Sequence, residues 1–206
     1  LVNKYPAKYP FFLESSSRGN DHNRNSIVFH KPKIVLKKNG RNDFLKDFNE
    51  LWNSNKIKQG KTIYNNKHIP FCGGWFIYLG YEIAQEIETS LNIPPSPYKL
   101  PDAFVARVNS AIIFDHVEKT ITLVTDSENF LNEINDMQSD LESLKEFDER
   151  KDQRGSIRIH SKGTFDEHQK QVKSCIDYIF QGEIFQANLS RLWRFKVSDT
   201  VSDIDI

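Results

Sequence analysis

Apolar and polar side chains alternate along residues 182–195, GEIFQANLSRLWRF. Read as a strand, this stretch places Phe185, Ala187, Leu189, Trp193 and Phe195 on one face and Gln186, Asn188 and Ser190 on the other. The polar face offers uncharged donors and acceptors where a solvated strand usually carries Lys and Glu, which suits the wall of a ligand cavity. An ordinary amphipathic strand has the same pattern. Just upstream, Val172, Cys175, Ile176, Ile179 and Phe180 recur at helical spacing. Thr164 with Glu167 forms a capping box before that stripe, and Gly182 ends it. Phe130, Ile134, Met137, Leu141 and Leu144 recur at steps of four and three over about two heptads, which predicts a core-facing amphipathic helix rather than a coiled coil. A third stripe, Phe44, Leu45, Phe48, Leu51 and Trp52, follows Asp43, an N-cap residue by type.

Shorter patterns predict strands. Pro6 and Pro10 keep residues 5–12 extended. Ile27–Phe29 and Ile34–Lys37 read as two short strands split by Lys31-Pro32, a hairpin or an adjacent pair. The Gly73-Gly74 pair opens an apolar strand over Trp75–Leu79, and residues 81–88 begin a helix. It lacks the Lys-Ser/Thr ending of a phosphate loop. Val105–Asp115 and Lys119–Thr125 form a hairpin joined through Asp115-His116-Val117-Glu118. Between these elements, residues 15–25, 53–67 and 92–101 read as polar or proline-stiffened connections. Residues 148–163, DERKDQRGSIRIHSKG, read as a charged linker between two parts.

Composition narrows the class without naming a chemistry. The 206 residues are 38% hydrophobic and 12% aromatic, a globular composition long enough to bury a sizeable core. No apolar run is long enough for a membrane helix, and the first residues lack the pattern of a secretory signal. The chain starts without Met, which suggests a trimmed or partial polypeptide. Cys72 and Cys175 lie 103 positions apart in apolar surroundings, which fits free thiols in a reducing cytoplasm better than a disulfide framework. The formal net charge of zero gives no general pull toward nucleic acid. Charge is nonetheless uneven: residues 1–67 hold 14 Lys and Arg against 5 acids, and residues 126–153 hold 3 against 10.

The usual catalytic signatures are missing. His22, His30, His68, His116, His160 and His168 show no metal-ligand spacing, and no Gly-x-Ser-x-Gly elbow occurs. Asp102 and Asp115 could in principle share a metal, but an Asp beside a hairpin turn is more often a turn former. On pattern alone the chain is an α+β domain without an assigned reaction.

Three stretches change that reading. Tyr9-Pro10-Phe11-Phe12-Leu13-Glu14-Ser15, Pro70-Phe71-Cys72-Gly73-Gly74-Trp75-Phe76-Ile77-Tyr78-Leu79-Gly80-Tyr81-Glu82 and Gly182-Glu183-Ile184-Phe185-Gln186-Ala187-Asn188-Leu189-Ser190-Arg191 keep the order and approximate spacing found in chorismate-utilising enzymes. Together they resemble the anthranilate synthase component I family. Gln186 to Ser190 is more similar to its aminodeoxychorismate, or para-aminobenzoate, branch, because anthranilate synthases tend to carry an apolar residue where Asn188 stands.

The resemblance implies a mostly antiparallel two-sheet α+β sandwich with outer helices, here truncated. Residues 1–147 would be the N-terminal component I domain, residues 148–163 a linker, and residues 164–206 the incomplete start of the chorismate-binding domain. The implied reaction is amination of chorismate at C4 for folate biosynthesis, with ammonia from a glutamine amidotransferase partner and Mg²⁺ on the substrate carboxylate. In the lysine-bearing branch, attack by that lysine at C2 precedes ammonia addition. No catalytic residue and no metal ligand of the family falls within this chain, so an inactive fragment is expected. Gln186, Asn188 and Ser190 would position substrate. Leu13, Ser15, Arg24, Asn25 and Ser26 would line a tryptophan pocket between the sheets. Arg24-Asn25-Ser26 replaces the family's Arg-Phe/Tyr-Asp, which removes an aromatic wall and a carboxylate, and a polar loop capping a sheet edge is the plain alternative. Other readings are an anthranilate synthase and a non-catalytic module that binds tryptophan or a partner.

Overall fold

In the first unit, Leu1–Phe147, alternating strands build two main sheets, with the striped helices Phe44–Ser54 and Phe130–Glu142 packed on their outer faces. The computed structural model describes residues 1–15, 24–38, 43–55, 63–64, 67–144 and 157–197. In chain order the elements are β1 (Phe11–Leu13), β2 (Asn25–His30), β3 (Lys33–Lys37), α1 (Phe44–Ser54), β4 (Ile63–Tyr64), β5 (Lys67–His68) and β6 (Gly74–Leu79). A single 3₁₀ turn (Tyr81–Ile83), α2 (Ala84–Ile87), β7 (Ala103–Val108), β8 (Ser110–Asp115), β9 (Thr120–Thr125) and α3 (Phe130–Glu142) follow. The last elements are β10 (Ile157–Lys162), α4 (Phe165–Phe180) and β11 (Trp193–Val197). Contacts divide the chain into two units, Leu1–Phe147 and Asp148–Ile206.

In the first unit, an antiparallel sheet of order β1-β2-β8-β9 faces a second one of order β3-β7-β6. Strand alternation sorts the side chains between layers. Ile27 and Phe29 of β2 join Ala111 and Ile113 of β8 on the side of Phe71 and Phe76. Val28 and Ile112 face the other way and pack with Tyr9 and Met137, so α3 covers the outer face of the four-stranded sheet. Phe44 of α1 packs with Ile83, Ala103 and Val105, which covers the outer face of the three-stranded sheet. Phe44 and Met137 are both fully buried, and burial of each contributes about 2–3 kcal/mol.

Several local expectations change. Ile27–Phe29 and Ile34–Lys37 are not a hairpin, because β2 and β3 belong to different sheets. Lys31, at φ 44°, and Pro32 turn the chain across. The run Val105–Asp115 likewise splits at Asn109 into β7 and β8 of opposite sheets. Both of its faces meet protein, so no polar alternation marked the crossing. β4 and β5 form a short antiparallel pair inside what read as a loop. Residues 16–23, 39–42, 56–62, 65–66, 145–156 and 198–206, which include parts of the expected connections, lie outside the described residues.

Asp43 makes no side-chain cap on α1. The carboxylate of Glu86 does so from a distance, accepting the Phe44 and Leu45 amides at 3.1 and 2.9 Å while pairing with Lys38. Burial alone would raise the Glu86 pKa, but Lys38 and the two amides hold it below the usual carboxylate range.

In the second unit, β10 and β11 pair antiparallel with an irregularity between Ile159 and Ser161. Ile157–Lys162 is therefore a strand, although its sequence falls within the expected linker. α4 ends in a Schellman arrangement: Gly182, at φ 76°, donates to Ile179 O at 3.1 Å and Glu183 donates to Tyr178 O at 3.0 Å. At its other end, the Thr164 hydroxyl donates to the Glu167 carboxylate and makes no backbone cap.

Candidate functional site

One end of the four-stranded sheet gathers the expected pocket residues. β1 pairs Leu13 with Ile27, which brings Ser15 beside the start of β2. The Ser15 amide donates to Ser26 Oγ at 3.0 Å, and its hydroxyl donates to the Asn25 carbonyl at 2.8 Å. Ser26 Oγ lies 2.7 Å from His116 Nε2, and the His116 amide donates to the Arg24 carbonyl at 2.9 Å. Arg24 itself is held by Asp115 at 2.6 Å and Glu118 at 3.3 Å. Burial would raise the Asp115 pKa, but Arg24 and the Val117 and Glu118 amides hold it below the usual range.

The five expected residues do not share one face. Leu13, half exposed, lies on the same side of β1 as Phe11. Phe11 stacks on Phe76 at 4.2 Å and faces Phe104 at 5.7 Å, while Phe104 also meets Tyr78 at 5.4 Å. This aromatic ladder lies between the sheets. Asn25 shares the side of Ile27, whereas Ser26 shares the side of Val28 and turns away from the ladder. Leu13 and Asn25 therefore border the inter-sheet space, Ser26 braces it from behind, and Arg24 is neutralised by two acids. His116, Asp115 and Glu118 were read only as a hairpin turn. Their link to β2 depends on pairing across 91 positions, which no local pattern carries.

The expected substrate wall is arranged differently from its pattern. Between Gly182 and β11, residues 183–192 form no ladder, because the pairing with β10 begins only at Trp193. Gln186, Asn188 and Ser190 lie exposed on this irregular segment, and none bonds to another described residue. The apolar partners of the pattern are also outward: Phe185 is 93% exposed.

A second polar cluster lies behind the four-stranded sheet. His30 has a fully buried side chain with Nε2 3.1 Å from Asp136 and Nδ1 2.9 Å from Glu133, the latter contact without hydrogen-bond alignment. Lys8 pairs with Asp136 and Asp140, Lys31 pairs with Asp136 at 2.6 Å, and the Tyr9 hydroxyl donates to Asp140 at 2.6 Å. Burial pushes His30 below the ordinary imidazole range against the pull of Glu133. It would raise Asp136, yet Lys31 and Lys8 hold that carboxyl far below its usual range. Burial, then Asp140, pushes the Tyr9 phenol far up.

The resemblance implies magnesium, for which these donors are the nearest candidates among the described residues. Among the described residues, His30, Asp136 and Asp140 form the converging group with metal-ligand atoms. The Lys8 ammonium already bridges the two carboxylates, and an imidazole donor suits magnesium poorly. The group does not fit the ion, and the described residues supply no step through it.

The sequence pattern of the chorismate binding enzymes matches residues 9–205, nearly the whole chain. This chain belongs to the chorismate binding enzyme family. The match includes the Leu13 to Ser26 sheet end and the Gln186 to Ser190 segment. Among curated relatives, the anthranilate synthase alpha subunit 1 of rice, Oryza sativa subsp. indica, is 25% identical over 93% of the chain and 40% of its own length. The anthranilate synthase component 1 of Cereibacter sphaeroides is 24% identical over 89% of the chain and 42% of its own length. The aminodeoxychorismate synthase component 1 of Escherichia coli is 26% identical over 62% of the chain and 27% of its own length. The chain thus spans about two fifths of the first two relatives. The solved structure of anthranilate synthase component I from Streptococcus pneumoniae matches with a TM-score of 0.62 at 20% identity, covering 94% of this chain and 45% of that one. That likeness places the α+β arrangement of antiparallel sheets in the fold of anthranilate synthase component I. Among the described residues, no helix is long and apolar enough to cross a membrane.

Proposed function

We propose that the protein containing this chain aminates chorismate at C4 to give 4-amino-4-deoxychorismate, using ammonia released from glutamine by an amidotransferase partner. The family match over residues 9–205 supports the substrate class. Asn188, within Gln186-Ala187-Asn188-Leu189-Ser190, carries the choice of branch, and the Escherichia coli relative is consistent with it. In this reaction the ammonia nitrogen forms a bond to C4, the C4 hydroxyl leaves, and one ammonia proton goes with it as water. Gln186, Asn188 and Ser190 would hold the substrate through neutral donors and acceptors, since none is a base near neutral pH. Leu13, Ser15 and Asn25 would border an amino-acid pocket in front of the aromatic ladder, with tryptophan as its candidate ligand.

A second reading, anthranilate formation, is favoured by the anthranilate synthases of rice and Cereibacter sphaeroides, which align with more of the chain. Genetic complementation separates the two. The complete gene containing this sequence should restore growth of a para-aminobenzoate auxotroph. Rescue of a tryptophan auxotroph instead would favour the second reading.

A further inference from the structure

His116 lies outside every role given above, yet it holds together both sides of the candidate pocket. Its amide donates to the Arg24 carbonyl at 2.9 Å, and its Nε2 lies 2.7 Å from Ser26 Oγ. Ser26 Oγ in turn accepts the Ser15 amide at 3.0 Å. Ser15 follows β1 and Ser26 lies in β2, so one hydroxyl joins two strands to the turn after β8.

We propose that His116 is a positioning residue whose neutral imidazole, acting as an acceptor, sets the place of Ser15 and Ser26, so that the turn from Asp115 to Glu118 clasps this sheet end and opens on protonation. The reasoning is a hydrogen-bond inventory. Ser26 is only 3% exposed, and its oxygen already accepts the Ser15 amide. Its hydroxyl proton needs an acceptor of its own, and His116 Nε2 is the one available among the described residues. Neutral His116 must then carry its proton on Nδ1. If Nε2 carried the proton, Ser26 would accept twice and leave its own buried hydroxyl proton unpaired.

Protonation turns Nε2 into a donor and removes that acceptor. Ser26 Oγ must then accept from both Nε2 and the Ser15 amide while its own buried proton is left unpaired, which destabilises the junction that holds the Ser15 amide. Because His116 is exposed at its turn, solvent protons reach it. The charged groups around it are Arg24 before β2 and Asp115, Glu118 and Lys119 on its own turn, while Ser15 and Ser26 face it without charge. Only the naming of Ser15 as a pocket residue rests on the functional reading above; the clasp itself rests on these bonds.

The test uses the full chain, labelled with ¹⁵N. Ring shifts of His116 at about pH 7.5 should report the Nδ1–H tautomer. The protection factor of the Ser15 amide should fall about fivefold once the His116 ring shifts report its protonation, the change expected for an interaction worth one ordinary hydrogen bond. His116→Gln keeps an acceptor that cannot be protonated, so it should keep the protection and lose its pH dependence. His116→Ala should be poorly protected throughout the titration. An Nε2–H tautomer, Ser15 protection that stays flat while the ring titrates, or full protection in His116→Ala would each overturn the proposal. Tryptophan titrations of the same samples test the pocket separately, so its failure would leave the clasp measurements standing.

Discussion

Glu86 should be the most consequential single carboxylate for the first unit, because it replaces a local cap with a remote one. Its two oxygens accept the Phe44 and Leu45 amides and pair with Lys38, with side chains only 16% and 10% exposed for Glu86 and Lys38. Glu86→Ala removes the helix cap, about 1 kcal/mol, and a largely buried charge partner, so the expected loss is about 2–4 kcal/mol. Glu86→Gln keeps one carbonyl acceptor and should cost about half as much. Asp43→Ala should stay within about 0.5 kcal/mol, since Asp43 makes no side-chain cap. Urea unfolding followed by circular dichroism reads all three, and Glu86→Ala should lower the melting temperature by about 5–12 °C. The pH dependence has a definite sign. The folded pKa of Glu86 is depressed, so its contribution is present above the ordinary glutamate value of about 4.3 and is lost as pH falls below it. Glu86→Gln should flatten the parent's stability loss over that acidic range. Equal costs for Asp43→Ala and Glu86→Ala, or a neutral Glu86→Ala, would refute the remote cap.

Gly73→Ala should cost about 2–4 kcal/mol in urea unfolding, because Gly73 has φ 106° and a Cβ there would collide with the Asp126 carboxylate. Gly182→Ala, at φ 76° with open space around it, should cost only the left-handed penalty, about 1 kcal/mol. His30 and Asp136 both have depressed folded pKa values, so their contributions are present above the ordinary imidazole and aspartate values and are lost as pH falls. Asp136→Asn should remove the more acidic part of that loss in a pH series of thermal melts. Calorimetric titration of tryptophan should show micromolar binding if Leu13, Ser15 and Asn25 border a pocket, and silence would remove that part of the functional reading.

Features repeated within one element were readable in the sequence. The stripes ending in Trp52, Leu144 and Phe180 marked α1, α3 and α4, and the turn after Asp115 marked the β8–β9 hairpin. What escaped depends on distant partners. Asp43 has the right type and place for a cap, but Glu86 arrives from 42 positions away. Asn109 marks no visible boundary because β7 and β8 are apolar on both sides of it. At the candidate site, the family resemblance pointed to Ser15 and Ser26, but the side each faces and their tie to His116 follow from strand pairing. Residues 183–192 alternate like a strand, yet alternation describes side chains and not whether a neighbouring strand is present to bond them.

The most direct test of the central claim is product identity. The complete gene product containing residues 1–206 would be incubated with chorismate and ammonium, and the product identified by mass spectrometry and NMR. The account predicts 4-amino-4-deoxychorismate, with nitrogen at C4 and the hydroxyl gone; anthranilate with released pyruvate, or unchanged chorismate, would contradict it.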